Sequence, residues 1–196
     1  MVKNDNPRLG RRFEEAFALA NRLHQDHVRK ASQIPYISHL LSVTALVLQD
    51  GGDEDEAIAA LLHDAVEDQG GEQTLALIRE KFGDKVAKIV YECSDSFTTP
   101  KPPWQKRKEE HIARLKNASP SAHRVMLADK LHNARALLRE LRAKGDKAWE
   151  LSKGGQKGML WYFHTIHETL GETNRGYLWQ ELERVIEEIE RLAGAE

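Results

Sequence analysis

The chain has a single cysteine, Cys93, among 196 residues. A lone thiol excludes a disulfide framework and a Cys-based zinc ribbon, and reads as a small buried hydrophobe. Any bound metal must therefore be held by imidazoles and carboxylates. No run approaches the roughly 20 apolar residues that a bilayer-spanning helix needs. The longest, 43–48 and 57–63, have the length of buried core segments. Residues 1–12 hold no apolar stretch of the kind found in secretory leaders, so a reduced, cytoplasmic setting with no membrane partner is expected. Neither charge is in excess: 29 Lys and Arg stand against 31 Asp and Glu, for a formal charge of −2. That balance excludes a general nucleic-acid coat, which needs a basic surplus. Proline is scarce, and half of the six prolines crowd into Pro100, Pro102 and Pro103. Histidine, by contrast, is plentiful, with nine residues.

The apolar pattern is helical almost throughout, and no segment alternates with strand period. Phe13, Phe17, Ala20, Leu23 and His24 recur at helical spacing. A loop over 28–35 ends in Pro35, and a helix is expected over 36–49. Gly51-Gly52 breaks that helix, and Asp53 is placed to cap the next, over 54–69, whose first turn is acidic. Thr74 is expected to cap a short helix reaching Phe82, and Asp84 another running to about Ser94. The proline-rich stretch 95–103 reads as a surface loop, followed by helix over 104–117. Ser119-Pro120 is a cap followed by a first-turn proline, starting a long helix that Gly145 stops after Lys144. Thr173 is placed to cap a last helix with an apolar stripe of Leu178, Leu182, Val185, Ile186, Ile189 and Leu192. Its other side carries Glu181, Glu183, Glu187, Glu188, Glu190 and Glu196 against Arg184 and Arg191, and reads as a solvated outer face or, failing that, a partner surface. The expectation is an all-α, single-domain bundle of about eight to ten helices, with its core over about 13–192 and residues 1–12 flexible.

Chemistry concentrates at Leu61-Leu62-His63-Asp64-Ala65-Val66-Glu67-Asp68. An adjacent His-Asp pair within an apolar helix is costly to bury without compensation. On a continuous helix Glu67 lies one turn above His63, and Asp68 one turn above Asp64. Three carboxylates that close repel one another, and a divalent cation is the simplest remedy. Two further polar residues in apolar helices extend the set: His39 at the start of its helix, and Asp129 within Leu127-Ala128-Asp129-Lys130-Leu131-His132-Asn133. Two nitrogens from His39 and His63 and two oxygens from Asp64 and Asp129 suit Mn2+, with Fe2+, Co2+ or Mg2+ as alternatives, better than a closed structural zinc site.

The order His…His-Asp…Asp resembles the signature of the HD superfamily of metal-dependent phosphohydrolases. The flanking segments Arg29-Lys30…Pro35-Tyr36-Ile37-Ser38-His39, Ala59–Asp68, Phe82-Gly83 and Leu127–Arg135 are similar to the hydrolase domain of RelA/SpoT homologues. They most closely resemble the stand-alone small alarmone hydrolases, including metazoan SpoT-like enzymes. The pair Glu67-Asp68 is the most discriminating match. The resemblance implies Mn2+-dependent hydrolysis of guanosine 3′,5′-bis(diphosphate) and the corresponding pentaphosphate, releasing pyrophosphate and GDP or GTP.

It also implies roles: His39, His63, Asp64 and Asp129 as metal ligands, and Glu67 and Asp68 in orienting water and handling its proton. Arg29, Lys30 and Asn133 would contact substrate, with Lys101, Lys106 and Tyr162 as further contacts from the region of the proline loop and a later helix. At this length there is no room for the synthetase domain of the long enzymes, so a hydrolase alone is expected. The partner expected is a small nucleotide, with a homo-oligomer left open.

Three features depart from the family pattern. Ala31-Ser32-Gln33-Ile34 is one residue longer than in the long bacterial enzymes and lacks their glycine, Leu40 replaces a proline, and the 100–104 segment has no counterpart. An altered loop beside the nucleotide keeps open another 3′-phosphorylated or cyclic nucleotide, such as an adenosine 3′-diphosphate. A non-catalytic nucleotide sensor is the remaining alternative.

Overall fold

A computed structural model describes residues 9–96, 100–172 and 175–194, and of Asp68 the backbone alone. In chain order it contains α1 (Arg11–Leu23), α2 (Ile37–Gln49), α3 (Glu54–Leu62), the single turn α4 (Ala65–Asp68), α5 (Gly71–Phe82), α6 (Asp84–Cys93), α7 (Trp104–Leu115) and α8 (Pro120–Lys144). A 3-10 helix over Gly145–Leu151 leads to α9 (Gly155–Gly171) and α10 (Tyr177–Ala193). Among the described residues there is no strand, only one isolated bridge between Val28 and Pro35. The all-α reading is thus correct.

Helix α3 is the innermost element. Every side chain from Ala57 to Leu62 is fully buried, and α1, α2, α6 and α8 pack around it. Its start is fixed as the sequence predicts: Asp53 accepts from the Glu56 amide while the Glu56 carboxylate accepts from the Asp53 amide. Glu56 is itself buried and receives Arg124 of α8 at 2.6 and 2.7 Å, with Asp50 on the same guanidinium at 3.1 Å. This ion cluster locks the end of α2, the start of α3 and the long helix α8 into one orientation. Ser119 and Gly145 bound α8 as expected: the Ser119 hydroxyl accepts from the Ala122 amide, and Gly145 sits at φ 58°.

Four boundaries differ from expectation. The helix over 54–69 is broken at His63-Asp64 into α3 and α4. The His63 ring Nδ1 lies 2.8 Å from the Ala60 carbonyl, a side-chain contact to an acceptor that a continuous helix reserves for its own backbone. Thr74 is not a cap: α5 already begins at Gly71, and the Thr74 hydroxyl donates back to the Gln69 carbonyl. Asp84 is the first residue of α6 rather than its cap, because Gly83 at φ 90° makes the turn. Helix α10 starts after Gly176; the expected cap Thr173 lies outside the described residues.

The acidic side of α10 is less idle than a solvated face. Glu181 meets Arg135 and Glu188 meets Arg142, both from α8, at 3.1 and 2.6 Å, while Glu190 meets His164 of α9 at 2.7 Å. Leu178, Leu182, Ile186 and Ile189 are buried beneath them, whereas Leu192 is exposed.

The loop over 28–35 is tight. The Arg29 amide donates to the Ile34 carbonyl at 2.9 Å and the Gln33 amide to the Arg29 carbonyl at 2.8 Å. Gln33, within the stretch that lacks the family glycine, sits at φ 57° in the left-handed region, where a side chain costs about 1 kcal/mol. A β-branched residue is worse there, so Gln33→Val is expected to lower the urea midpoint by an amount equal to about 1 kcal/mol with an unchanged slope, and Gln33→Gly is expected not to lower it.

Candidate metal centre and its cavity

Three helices deliver the predicted ligands to one place. His39 comes from the first turn of α2, His63 and Asp64 from the break between α3 and α4, and Asp129 from the middle of α8. One ligand atom from each of His39, His63 and Asp129 lies within 4.8 Å of the others, and all three residues are buried. Asp64 Oδ2 is 3.1 Å from His63 Nε2 and 3.5 Å from His39 Nε2; Asp129 Oδ1 is 3.2 Å from His39 Nε2 and 3.7 Å from His63 Nε2.

The ring nitrogens show which atoms are left to bind. Nδ1 of His63 is paired with the Ala60 carbonyl, and Nδ1 of His39 with Nδ1 of His132 at 2.7 Å. Nε2 of both rings is buried with no hydrogen-bond partner. Two orphaned imidazole nitrogens aimed at two carboxylates fit a divalent cation, with the Nδ1 contacts fixing ring orientation. Burial alone would lower the His63 pKa, but Asp64 and Asp129 outweigh it and hold it well above the ordinary value. The same imidazoles hold Asp64 well below the carboxylate range against the opposing effect of burial. Asp129 is likewise held down, against burial, by Lys130 first and then by the two histidines; Lys130 Nζ stands 2.6 Å from its Oδ2.

Outside this set, contacts run in two directions. Asn133 donates to Asp129 Oδ1 at 2.6 Å and accepts from Arg29 at 2.7 Å, so the loop bearing Arg29 is tied to the metal-ligand helix through one amide. On the other side Glu67 Oε1 meets Lys101 at 2.8 Å and Arg107 at 3.1 Å. Arg107 also binds Asp95, at 2.5 and 2.6 Å, and Lys108 binds Asp95 at 2.5 Å. Burial first, and then Asp95 beside it, push the Glu67 carboxyl up to about 7 despite Lys101. Asp95, although burial opposes ionisation, is held below the usual range by Glu67, Lys108 and Arg107. One carboxyl of the pair is thereby ionised and the other poised near neutrality.

Most of these groups line a cavity of about 740 Å3, with His39 behind its wall. Arg29, Lys30, His63, Asp64, Glu67, Lys101, Asp129, Asn133 and Tyr162 reach it. Lys106 does not: its side chain is 67% exposed and its ammonium pairs weakly with Glu110 at 3.9 Å. The helical phase of α7 turns Trp104, Arg107, Lys108 and His111 inward and Lys106 outward, so the cation expected at 106 is supplied at 107 and 108 instead. Asp68 ends α4, and its side chain lies outside the described residues.

Several residues of the site were not singled out from sequence. Tyr36 donates to Asp64 Oδ2 at 2.6 Å, and Asp95 and Lys130 pair with site residues as above. Lys130 is adjacent to a predicted ligand, which was a usable signal; Asp95 stands in a stretch without periodicity and gave none. Trp104 seats α7 on α9, where a Cβ on Gly154 or Gly158 would come within 2.7 or 3.1 Å of its indole. Cys93 is buried, as expected.

A protein-family model described as HD domain matches residues 16–153. The guanosine-3′,5′-bis(diphosphate) 3′-pyrophosphohydrolase MESH1 of Homo sapiens is 38% identical to the chain over 128 residues, covering 64% of this chain and 69% of the relative. Its counterpart from Xenopus tropicalis is 40% identical over the same length and the same shares. Among solved structures, a metazoan ortholog of SpoT that hydrolyzes ppGpp and plays a role in starvation responses matches with a TM-score of 0.74 at 27% identity, over 95% of this chain and 98% of that one.

Proposed function

Because the chain belongs to the HD domain family, we propose that it is a metal-dependent (p)ppGpp 3′-pyrophosphohydrolase, acting through one domain. The observation that carries this reading is the meeting, in one cavity, of His63, with His39 directly behind it, with a carboxyl poised near neutrality and two groups of cations, Arg29 with Lys30 and Lys101 with Arg107 and Lys108. A nucleotide carrying a diphosphate at each end suits two groups of cations. The similarity to MESH1 proteins supports the same substrate.

His39, His63, Asp64 and Asp129 would hold a divalent ion, and the even mix of imidazole and carboxylate favours Mn2+ over Fe2+, Co2+ or Mg2+. Bound there, the ion supplies Lewis-acid stabilisation of charge on the reacting phosphoryl group. The chain's own residues do the rest. Glu67 takes a proton from the attacking water, with Asp68 assisting in its orientation. The water oxygen bonds to the phosphorus attached to O3′, the P–O3′ bond breaks, and O3′ gains a proton; the products are pyrophosphate and GDP or GTP. Lys101, Arg107 and Lys108 balance the diphosphate charge, Tyr162 walls it, and Arg29, Lys30 and Asn133 hold the nucleotide side.

The test is a product assay with MnCl2 on guanosine and adenosine substrates that carry a 3′-diphosphate. Pyrophosphate and GDP are expected from the guanosine compound, lost on treatment with EDTA and restored by Mn2+. Cleavage of the adenosine compound alone would transfer the reading to the alternative substrate, for which the left-handed Gln33 in the lengthened loop is the structural motive. No cleavage of either would sink both.

A further inference from the structure

His111 has no part in the scheme above, yet the structure places it conspicuously. It lies on the inward stripe of α7 with Trp104, Arg107 and Lys108, lines the same cavity, and is 1% exposed. Neither ring nitrogen has a hydrogen-bond partner. Two more polar atoms lining the cavity, Arg107 Nε and the Tyr162 hydroxyl oxygen, are also buried and unpartnered. Lys108 and Lys130 close the group, their ammonium nitrogens 4.8 and 5.4 Å from the Tyr162 ring centre.

A buried polar group without a partner is destabilising unless something outside the chain satisfies it. Burial, and after it Lys130 with Lys108 and Arg114, push the His111 ring down to about 3, against Asp95. The imidazole is therefore neutral at physiological pH, with one N–H to donate. Arg107 and Lys108 share Asp95 and Lys130 pairs with Asp129, so these three cations exceed their two carboxylates and favour an anion, and the unfilled donors select one rich in oxygens. A neutral donor adds a directed hydrogen bond without adding to a positive charge that is already crowded.

We propose that His111 contacts ligand directly, its ring N–H donating to an oxygen of a diphosphate group seated between α7 and α9 beside Arg107, Lys108, Lys130 and Tyr162. This rests on reading the cavity as a diphosphate-ester site, but requires no turnover to be tested.

The experiment is calorimetric titration of inorganic pyrophosphate into desalted protein, as wild type, His111→Leu and His111→Asn, together with the thermal midpoint of each free protein. His111→Leu is expected to weaken pyrophosphate binding about tenfold or more, the usual loss for a hydrogen bond to a charged group. The same variant is expected to raise the thermal midpoint, since an unsatisfied buried group is gone. His111→Asn keeps an N–H donor and is expected to stay within about threefold of wild type, a partial rescue of that bond. The proposal is overturned if wild type does not bind pyrophosphate, if His111→Leu binds it as wild type does, or if the asparagine fails to rescue. A lowered midpoint in His111→Leu with unchanged binding would make His111 a structural residue. Failure of the nucleotide assay with His111-dependent pyrophosphate binding intact would instead overturn the proposed reaction alone.

Discussion

Asp64→Ala is expected to abolish turnover and, with it, the thermal stabilisation that Mn2+ confers. Asp64 Oδ2 lies 3.1 and 3.5 Å from the two orphaned histidine nitrogens, so its loss removes one of two anionic arms of the set. Removing a group that merely orients a metal ligand costs about 10- to 100-fold in affinity or activity, and removal of a ligand should exceed that, at about a thousandfold or more. The binding readout is independent of chemistry. An ion at 100 times its dissociation constant stabilises the native state by about 2.7 kcal/mol, which appears as a raised midpoint. In Asp64→Ala that increment should vanish at the same Mn2+ concentration. Tyr36→Phe, which removes only the hydroxyl bonded to Asp64 at 2.6 Å, should keep most of it. A full Mn2+-induced shift in Asp64→Ala would refute the ligand assignment.

Glu67→Gln separates chemistry from metal retention. A positioned general base contributes about 10^2- to 10^4-fold, so kcat should fall within that range while the Mn2+-induced thermal shift persists. With the carboxyl poised at about 7, wild-type kcat/KM should decline as pH falls below neutrality, because the base must be ionised to act; the variant should lack this limb. Stability moves the other way. The folded pKa of Glu67 lies above its ordinary value of 4.5, so the native state binds this proton more tightly, and stability is lost as pH rises from about 4.5 through 7. Glutamine carries no such penalty. Glu67→Gln should thus melt higher than wild type at pH 8, and about equally at pH 5 where Glu67 is protonated. Equal melting at both values, with an unchanged acid limb, would remove Glu67 from the role of base.

Much of this was legible in the sequence because it rests on local chemistry. Ser119-Pro120 and Gly145 fix the ends of α8 by capping and backbone geometry alone, and the structure agrees. His39, His63, Asp64 and Asp129 stood out as polar residues in apolar helices, and they meet. The failures share a cause in tertiary context. The run Leu61–Asp68 has helical propensity throughout, and only the packed surroundings reveal that it turns at 63–64. Lys106 and Arg107 are indistinguishable by charge count; choosing between them needs the phase of α7, which three prolines upstream obscure. Asp95 meets Glu67 across 27 intervening positions with no pattern joining them, so the carboxyl pair that pushes Glu67 up could not be foreseen.

The break between α3 and α4 also settles how the site tolerates change in chain length. Neighbouring side chains on an unbroken helix diverge by about 100°, so two consecutive residues cannot both face one point. His63 and Asp64 keep right-handed backbone angles at the break, so it is the reach of the longer imidazole that brings both groups together at 3.1 Å, and the whole pair is indexed to the fully buried face of α3 just before it. Loops such as 28–35 can absorb an extra residue and still present their side chains. A one-residue deletion in α3 has no such slack: it rotates the core face and the His-Asp dipeptide together, and hydrophobic register and ligand register are lost in the same step.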